Sequence, residues 1–202
     1  MGLSAGNLNS DQALRRLLEG NRSYVATRSS DSNHRLVVPS VGAVEEETPF
    51  AMVISCSDLE VSPEAIFDEG GALLVVQVGG NVLNAEMLKG IESAVEKYNL
   101  SLLMVMGHIP CGIVNMALKM VERDEIALDH FALVLEAIRP AVESARDQVG
   151  DPVENVVRAN VELTVGQLKS SVPILADRVK DGLLKVVGAL YYSEKGKVKI
   201  IS

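Results

Sequence analysis

Tryptophan is absent from these 202 residues, and all aromatic residues together make up only 3% of them. So thin a supply of rings leaves no series of stacking platforms for single-stranded nucleic acid. Basic residues are in deficit too: 19 Lys and Arg stand against 27 Asp and Glu, a formal net charge of −8. Binding to a phosphate backbone relies on neutralisation by Lys and Arg, so no nucleic-acid partner is expected. No apolar run approaches the roughly 20 residues that a spanning helix needs, and no membrane partner is expected either. Met1–Gly6 shows neither the charged and apolar regions of a signal peptide nor the Ser or Thr that myristoylation wants where Gly6 stands. The chain has only two cysteines, far apart, which argues against a disulfide framework. A cytoplasmic location is the expectation that follows.

What is present is a well-patterned globular chain, 48% hydrophobic and 23% charged, long enough to bury a substantial core. The pattern predicts one domain over 1–202, with an N-terminal helix and arm over 1–49 and an α/β core over 50–202. Ser10 is placed to cap a helix reaching about Ala26, with Leu14, Leu17, Leu18, Tyr24 and Val25 on one stripe. Thr27–Pro49 reads as a polar connecting arm that holds the acidic run Glu45–Glu47. From Phe50 short apolar strands alternate with helices. Strands are predicted at 51–56, 73–78 and 102–106, with helices begun by Ser62-Pro63, by Asn84 and near Cys111. Helices are expected over 128–149, from Asp151-Pro152 to about Leu168, with Glu154 completing a capping box, and from Ser171 to Gly182. Leu183–Tyr192 and Lys197–Ile201 flank a turn ending in Gly196, a predicted hairpin. Continuous apolar strands between helices imply an α/β fold whose mostly parallel central sheet is covered on both faces.

In such sheets ligands bind beyond the carboxyl ends of the strands. The first strand ends on Cys56-Ser57-Asp58, and the third leads into Gly107-His108-Ile109-Pro110-Cys111-Gly112. Zinc favours tetrahedral sites of thiolate, imidazole and carboxylate, so Cys56, Asp58, His108 and Cys111 form a candidate ligand set. Asp58 is also the candidate catalytic group. A helix start near Cys111 favours its thiolate. Taken singly each residue has a plain structural role; two chelating halves at equivalent strand ends point to a metal. A Cys–His nucleophilic hydrolase would leave the second Cys and Asp58 without a task. Gly80 and Gly112 are candidate substrate-binding positions, where backbone without a side chain can approach closely. His34 and His130 stand outside any motif and are expected at the surface. Asp68 and Glu69 are expected to end the short helix and face water.

Cys56-Ser57-Asp58, Pro63–Asp68, Val78-Gly79-Gly80-Asn81 and Gly107–Gly112 together resemble the β-class carbonic anhydrases. Ala13–Asn21, Asn160-Val161 and Val187–Tyr191 extend the resemblance to nearly the whole chain. The resemblance implies zinc held by Cys56, His108 and Cys111, with Asp58 as fourth ligand or as a gate. It also implies a parallel sheet core, a homodimer or higher oligomer with sites near a subunit interface, and reversible hydration of carbon dioxide to bicarbonate.

Two positions depart from the family pattern. Where the family places an Arg that pairs with the zinc-site Asp, this chain has Glu60, and Gln77 stands where many members carry a basic residue. Two thiolates and one carboxylate on a dipositive ion leave one net negative charge, whereas release of Asp58 leaves the site neutral and better able to acidify water. Glu60 cannot form the charge-assisted pair that would hold a released Asp58. The expectation is therefore that Asp58 rests on the metal and that hydration is weak or gated. Hydrolysis of carbonyl sulfide or carbon disulfide, and a catalytically silent zinc protein, are the alternatives.

Overall fold

The amino-terminal helix begins with a reciprocal cap in the computed structural model, which describes residues 8–30, 48–124, 132–170 and 173–202. Asn9 Oδ1 accepts the Gln12 N–H at 2.9 Å, and Gln12 Oε1 accepts the Asn9 N–H at 3.0 Å. Asn9 is therefore the cap in place of Ser10, because the N3 position falls on a side chain able to reach back. Helix α1 (Ser10–Ser30) runs past the expected Ala26. The Thr27 hydroxyl donates to Ser23 O, and Arg28 donates to Ser193 O across the fold. Glu45–Glu47, His34, His130, the first residues of the expected 128–149 helix and Ser171-Val172 lie outside the described residues.

The remaining elements are β1 (Ala51–Cys56), α2 (Pro63–Ile66), β2 (Leu73–Val78), a 3₁₀ turn (Gly79–Asn81) and α3 (Ala85–Tyr98). They continue with β3 (Leu102–Ile109), α4 (Gly112–Glu122), α5 (Ala132–Ala145), α6 (Pro152–Ser170), α7 (Pro173–Lys180), β4 (Lys185–Tyr192) and β5 (Lys197–Ile200). Ser62 caps α2 through Ala65 N, and Asn84 caps α3 through Met87 N. At α6 the expected capping box is only half made. Asp151 Oδ1 accepts the Glu154 N–H, but the Glu154 carboxylate is taken by Tyr192 Oη at 2.8 Å and by Arg158.

Among the described residues the five strands form one sheet in the order β2-β1-β3-β4-β5, parallel except for β5. The period of two sends alternate residues to opposite faces. Met52, Ile54, Leu103, Val105, Val186 and Leu190 join a core with α3–α7; Val53, Leu102, Met104, Val187 and Tyr191 join a second core with α1 and α2. Glu69 belongs to that second face. It is buried and receives two bonds from Arg16 at 2.6 and 2.7 Å, so it ties α1 to the end of α2 where water contact was expected. A carboxylate at this depth needs a cation, and the guanidinium fork supplies a bidentate one.

The order of the sheet has one consequence for function. Strand β2 follows β1 in sequence but pairs on its outer side, leaving β3 as the inner neighbour of β1. The carboxyl ends of β1 and β3 therefore lie side by side, about one strand spacing of 4.8 Å apart. Strand β3 also runs to Ile109, three residues beyond the expected end, which places His108 within the sheet opposite Tyr191. Gly107, which looks like a stop, allows this: a Cβ there would lie 2.5 Å from Val157 Cγ1 and 2.8 Å from Val161 Cγ2. The bare backbone is what lets α6 approach the end of β3.

Candidate metal centre

Cys56 is the last residue of β1, His108 the penultimate residue of β3, and Cys111 the cap position of α4. All three are buried, at 2%, 4% and 3% exposure. Their ligand atoms lie within 4.8 Å of one another, and the two Sγ atoms are 3.9 Å apart. Two thiolates bound tetrahedrally at the usual zinc–sulfur distance would stand about 3.8 Å apart, so the spacing fits the ion. His108 Nε2 is buried without a hydrogen-bond partner among the described residues. A buried imidazole nitrogen in that state carries a desolvation cost that a metal bond removes. Two soft sulfurs and an imidazole are a donor set suited to zinc.

The sulfurs are unequal. The Cys56 thiol is pulled down to about 4, first by the hydrogen bond with Cys111, then by His108 and the Asp58 and Gly80 amides, against burial. Cys111 is pushed up by its bond to Cys56 and by burial. The backbone N–H groups of Asp58 and Gly80 donate to Cys56 Sγ at 3.4 and 3.3 Å. These contacts favour the thiolate form of Cys56 over that of Cys111.

Asp58 lies outside the converging trio. Its Oδ2 accepts the Gly112 N–H at 2.6 Å, at the N-terminus of α4. That end of a helix has unpaired amides and a partial positive charge, so it accommodates a carboxylate. Glu60 is exposed and makes no ion pair among the described residues. Of the two glycines expected at the substrate, Gly112 donates its N–H to Asp58 and Gly80 donates its N–H to Cys56. Gly80 needs its freedom, since it holds φ +60° and a Cβ there would lie 2.6 Å from Ile138 Cδ1. The small cavity beside the trio is lined by Val114, Val157 and Val161 together with Asn81 and Asn160, so part of its wall is apolar.

Asn160 was noticed in sequence only as part of a resemblance. Its Nδ2 donates to Gly80 O at 2.6 Å from the core-facing side of α6. A residue-level signal exists, because a polar amide stands among Val156, Val157, Val161 and Val165, all buried on the same helix.

Residues 51–198 match a family model described as carbonic anhydrase. A protein of Mycobacterium tuberculosis named carbonic anhydrase 2 is 32% identical over 196 residues, which cover 95% of this chain and 92% of the relative. Among solved structures, a tetrameric β-carbonic anhydrase from Sordaria macrospora superposes with a TM-score of 0.67 at 19% identity, covering 94% of this chain and 97% of that one. The Coccomyxa β-carbonic anhydrase, solved with acetazolamide, gives 0.65 at 24% identity and coverages of 92% and 84%. No helix among the described residues is long and apolar enough to cross a membrane.

Proposed function

The chain belongs to the β-carbonic anhydrase family, and from that premise we propose that it catalyses the reversible hydration of carbon dioxide at a zinc centre held by Cys56, His108 and Cys111. The observation that carries this reading is the convergence of the three buried donors, with His108 Nε2 left unpartnered. Zinc bound there would act as a Lewis acid that lowers the pKa of water toward neutrality. The protein supplies the rest. The Asp58 and Gly80 amides steady Cys56 as a thiolate, and Val114, Val157 and Val161 make part of the neighbouring cavity wall apolar, which suits a small linear substrate without charge.

Two seats are open to Asp58. One is the Gly112 N–H that it occupies here; the other is the fourth ligand position beside the trio. Seated on Gly112, Asp58 would leave a fourth position free on a zinc held by the trio; as a ligand it would fill that position itself. The family's Arg would hold the first seat with a charged pair. Here Glu60 takes that place, so a single amide and the end of α4 hold Asp58, and turnover is weak or gated.

Glu60→Arg is therefore expected to raise kcat/KM for carbon dioxide hydration about tenfold, the scale of one hydrogen bond to a charged group at roughly 1.5 kcal/mol. Stopped-flow pH-indicator assays measure it. Equal rates in wild type and variant would remove Glu60 from the account. Carbonyl sulfide and carbon disulfide belong in the same assays, since the apolar wall suits them as well. The assembly proposed is a homodimer or larger, in keeping with the tetrameric Sordaria macrospora relative.

A further inference from the structure

Cys56 Sγ accepts two backbone hydrogen bonds of different origin. The Asp58 N–H lies two residues on in the same chain turn and comes with the local backbone. The Gly80 N–H comes from the turn after another strand, where Gly80 holds φ 60° and ψ 20°. That conformation lies in a region non-glycine residues rarely enter, and it is maintained by its surroundings.

Most of those surroundings are on α6. Asn160 Nδ2 donates to Gly80 O at 2.6 Å. One helical turn later, the single Thr164 hydroxyl proton is shared between Asn160 O at 3.0 Å and Asn81 O at 3.3 Å. From β3, Met106 O accepts Asn81 Nδ2 at 3.2 Å. Asn160, Thr164 and Asn81 are all buried, at 6%, 6% and 2% exposure, so the bonds are made away from competing water. Helix α6 carries none of the three converging donors, which stand on β1, β3 and the cap of α4.

We infer that Asn160 is a positioning residue of the metal centre: from α6 it fixes Gly80 so that the Gly80 N–H is aimed at Cys56 Sγ. The coupling is geometric. Asn160 grips the peptide that follows Gly80, whereas the N–H aimed at sulfur belongs to the peptide that precedes it. The two are linked by the dihedral angles of Gly80, not by polarisation of one amide. Outer partners of this kind orient a ligand and set how strongly it binds. The inference rests on the metal-site reading above and adds a residue that is not one of the three converging donors.

The test compares wild type, Asn160→Leu and Val165→Ala. Val165 is a buried residue of the same helix without a bond to the Gly79–Asn81 turn. Zinc and cobalt(II) affinities are measured by competition with a chromophoric chelator, together with the sulfur-to-cobalt charge-transfer band. Asn160→Leu is expected to bind both ions about 10–100-fold more weakly and to shift the band. Val165→Ala is expected to lower thermal stability while leaving affinity and band unmoved. Should Asn160→Leu not fold, Asn160→Ser carries the same criterion, because its hydroxyl stops short of Gly80 O. A folded Asn160 variant whose affinities and band are indistinguishable from wild type overturns the proposal. Wild type that takes up neither ion overturns the metal-site reading itself, before any variant is compared.

Discussion

His108→Ala is expected to abolish both zinc retention and carbon dioxide hydration. The residue is buried within β3, and its Nε2 has no partner among the described residues, so removal disturbs no hydrogen bond of that atom. What is lost is one of three donors that converge within 4.8 Å. The fall in zinc affinity should exceed the roughly 10–100-fold that a supporting outer partner carries. A thermal melt separates this loss from misfolding. A ligand that binds only the folded state stabilises it by mass action, so a strong chelator should lower the wild-type Tm toward that of the variant. The variant's own Tm should not respond to the chelator. Zinc content near the wild-type level in His108→Ala would remove His108 from the site.

The largest effect on stability is expected far from the metal, at Gly20. In the interior of a helix, alanine normally stabilises relative to glycine by about 1 kcal/mol. Gly20→Ala should do the reverse. A Cβ at that position would stand 1.7 Å from the backbone oxygen of Phe67, and a main-chain atom cannot rotate aside. Helix α1 would have to lift away from the end of α2. That movement would disturb the bonds that Asn21 makes with Ile66 O and Gly196 O at 3.2 and 2.9 Å. Overpacking of this severity costs about 3 kcal/mol, which for a chain of this size lowers Tm by roughly 6–12 °C. Thermal unfolding followed by circular dichroism measures it, and a Tm at or above wild type would show that α1 is not seated on Phe67.

Much of the fold could be read from periodicity alone. The apolar runs at 51–56 and 73–78 coincide with β1 and β2, and the caps at Ser62 and Asn84 start α2 and α3 where they were expected. The hairpin of β4 and β5 also stands where its turn signal lies. What periodicity could not give was anything fixed by a partner distant in sequence. Gly107 reads as a break in a strand, and only the approach of Val157 and Val161 shows why the strand continues through it. Glu69 reads as a solvated helix end until Arg16 is seen beside it. Asn9 and Ser10 are both good caps by residue type, and the reach of Gln12 decides for Asn9.

The donors were equally legible. Cys56, His108 and Cys111 stood out because the chain has so few cysteines and histidines, and the structure gathers those three. Their convergence depends on β3 pairing inside β1, a matter of strand order that local pattern does not contain. For Asp58 the sequence points to the metal, because Glu60 stands where the family resemblance would place an arginine. The partner Asp58 has here, the amide of Gly112, leaves no mark in the sequence because every residue but proline carries a backbone N–H. The same holds for Gly80, whose bond to Cys56 Sγ is a property of its dihedral angles.

The proposed activity depends on these three side chains holding zinc. Metal analysis of the chain expressed in zinc-replete medium, combined with X-ray absorption at the zinc edge, addresses that directly. The expected result is stoichiometric zinc whose shell contains the two sulfurs of Cys56 and Cys111 and the imidazole nitrogen of His108. The fourth ligand would be oxygen, from water or from Asp58. Little or no zinc, or a zinc shell without sulfur, would contradict the account.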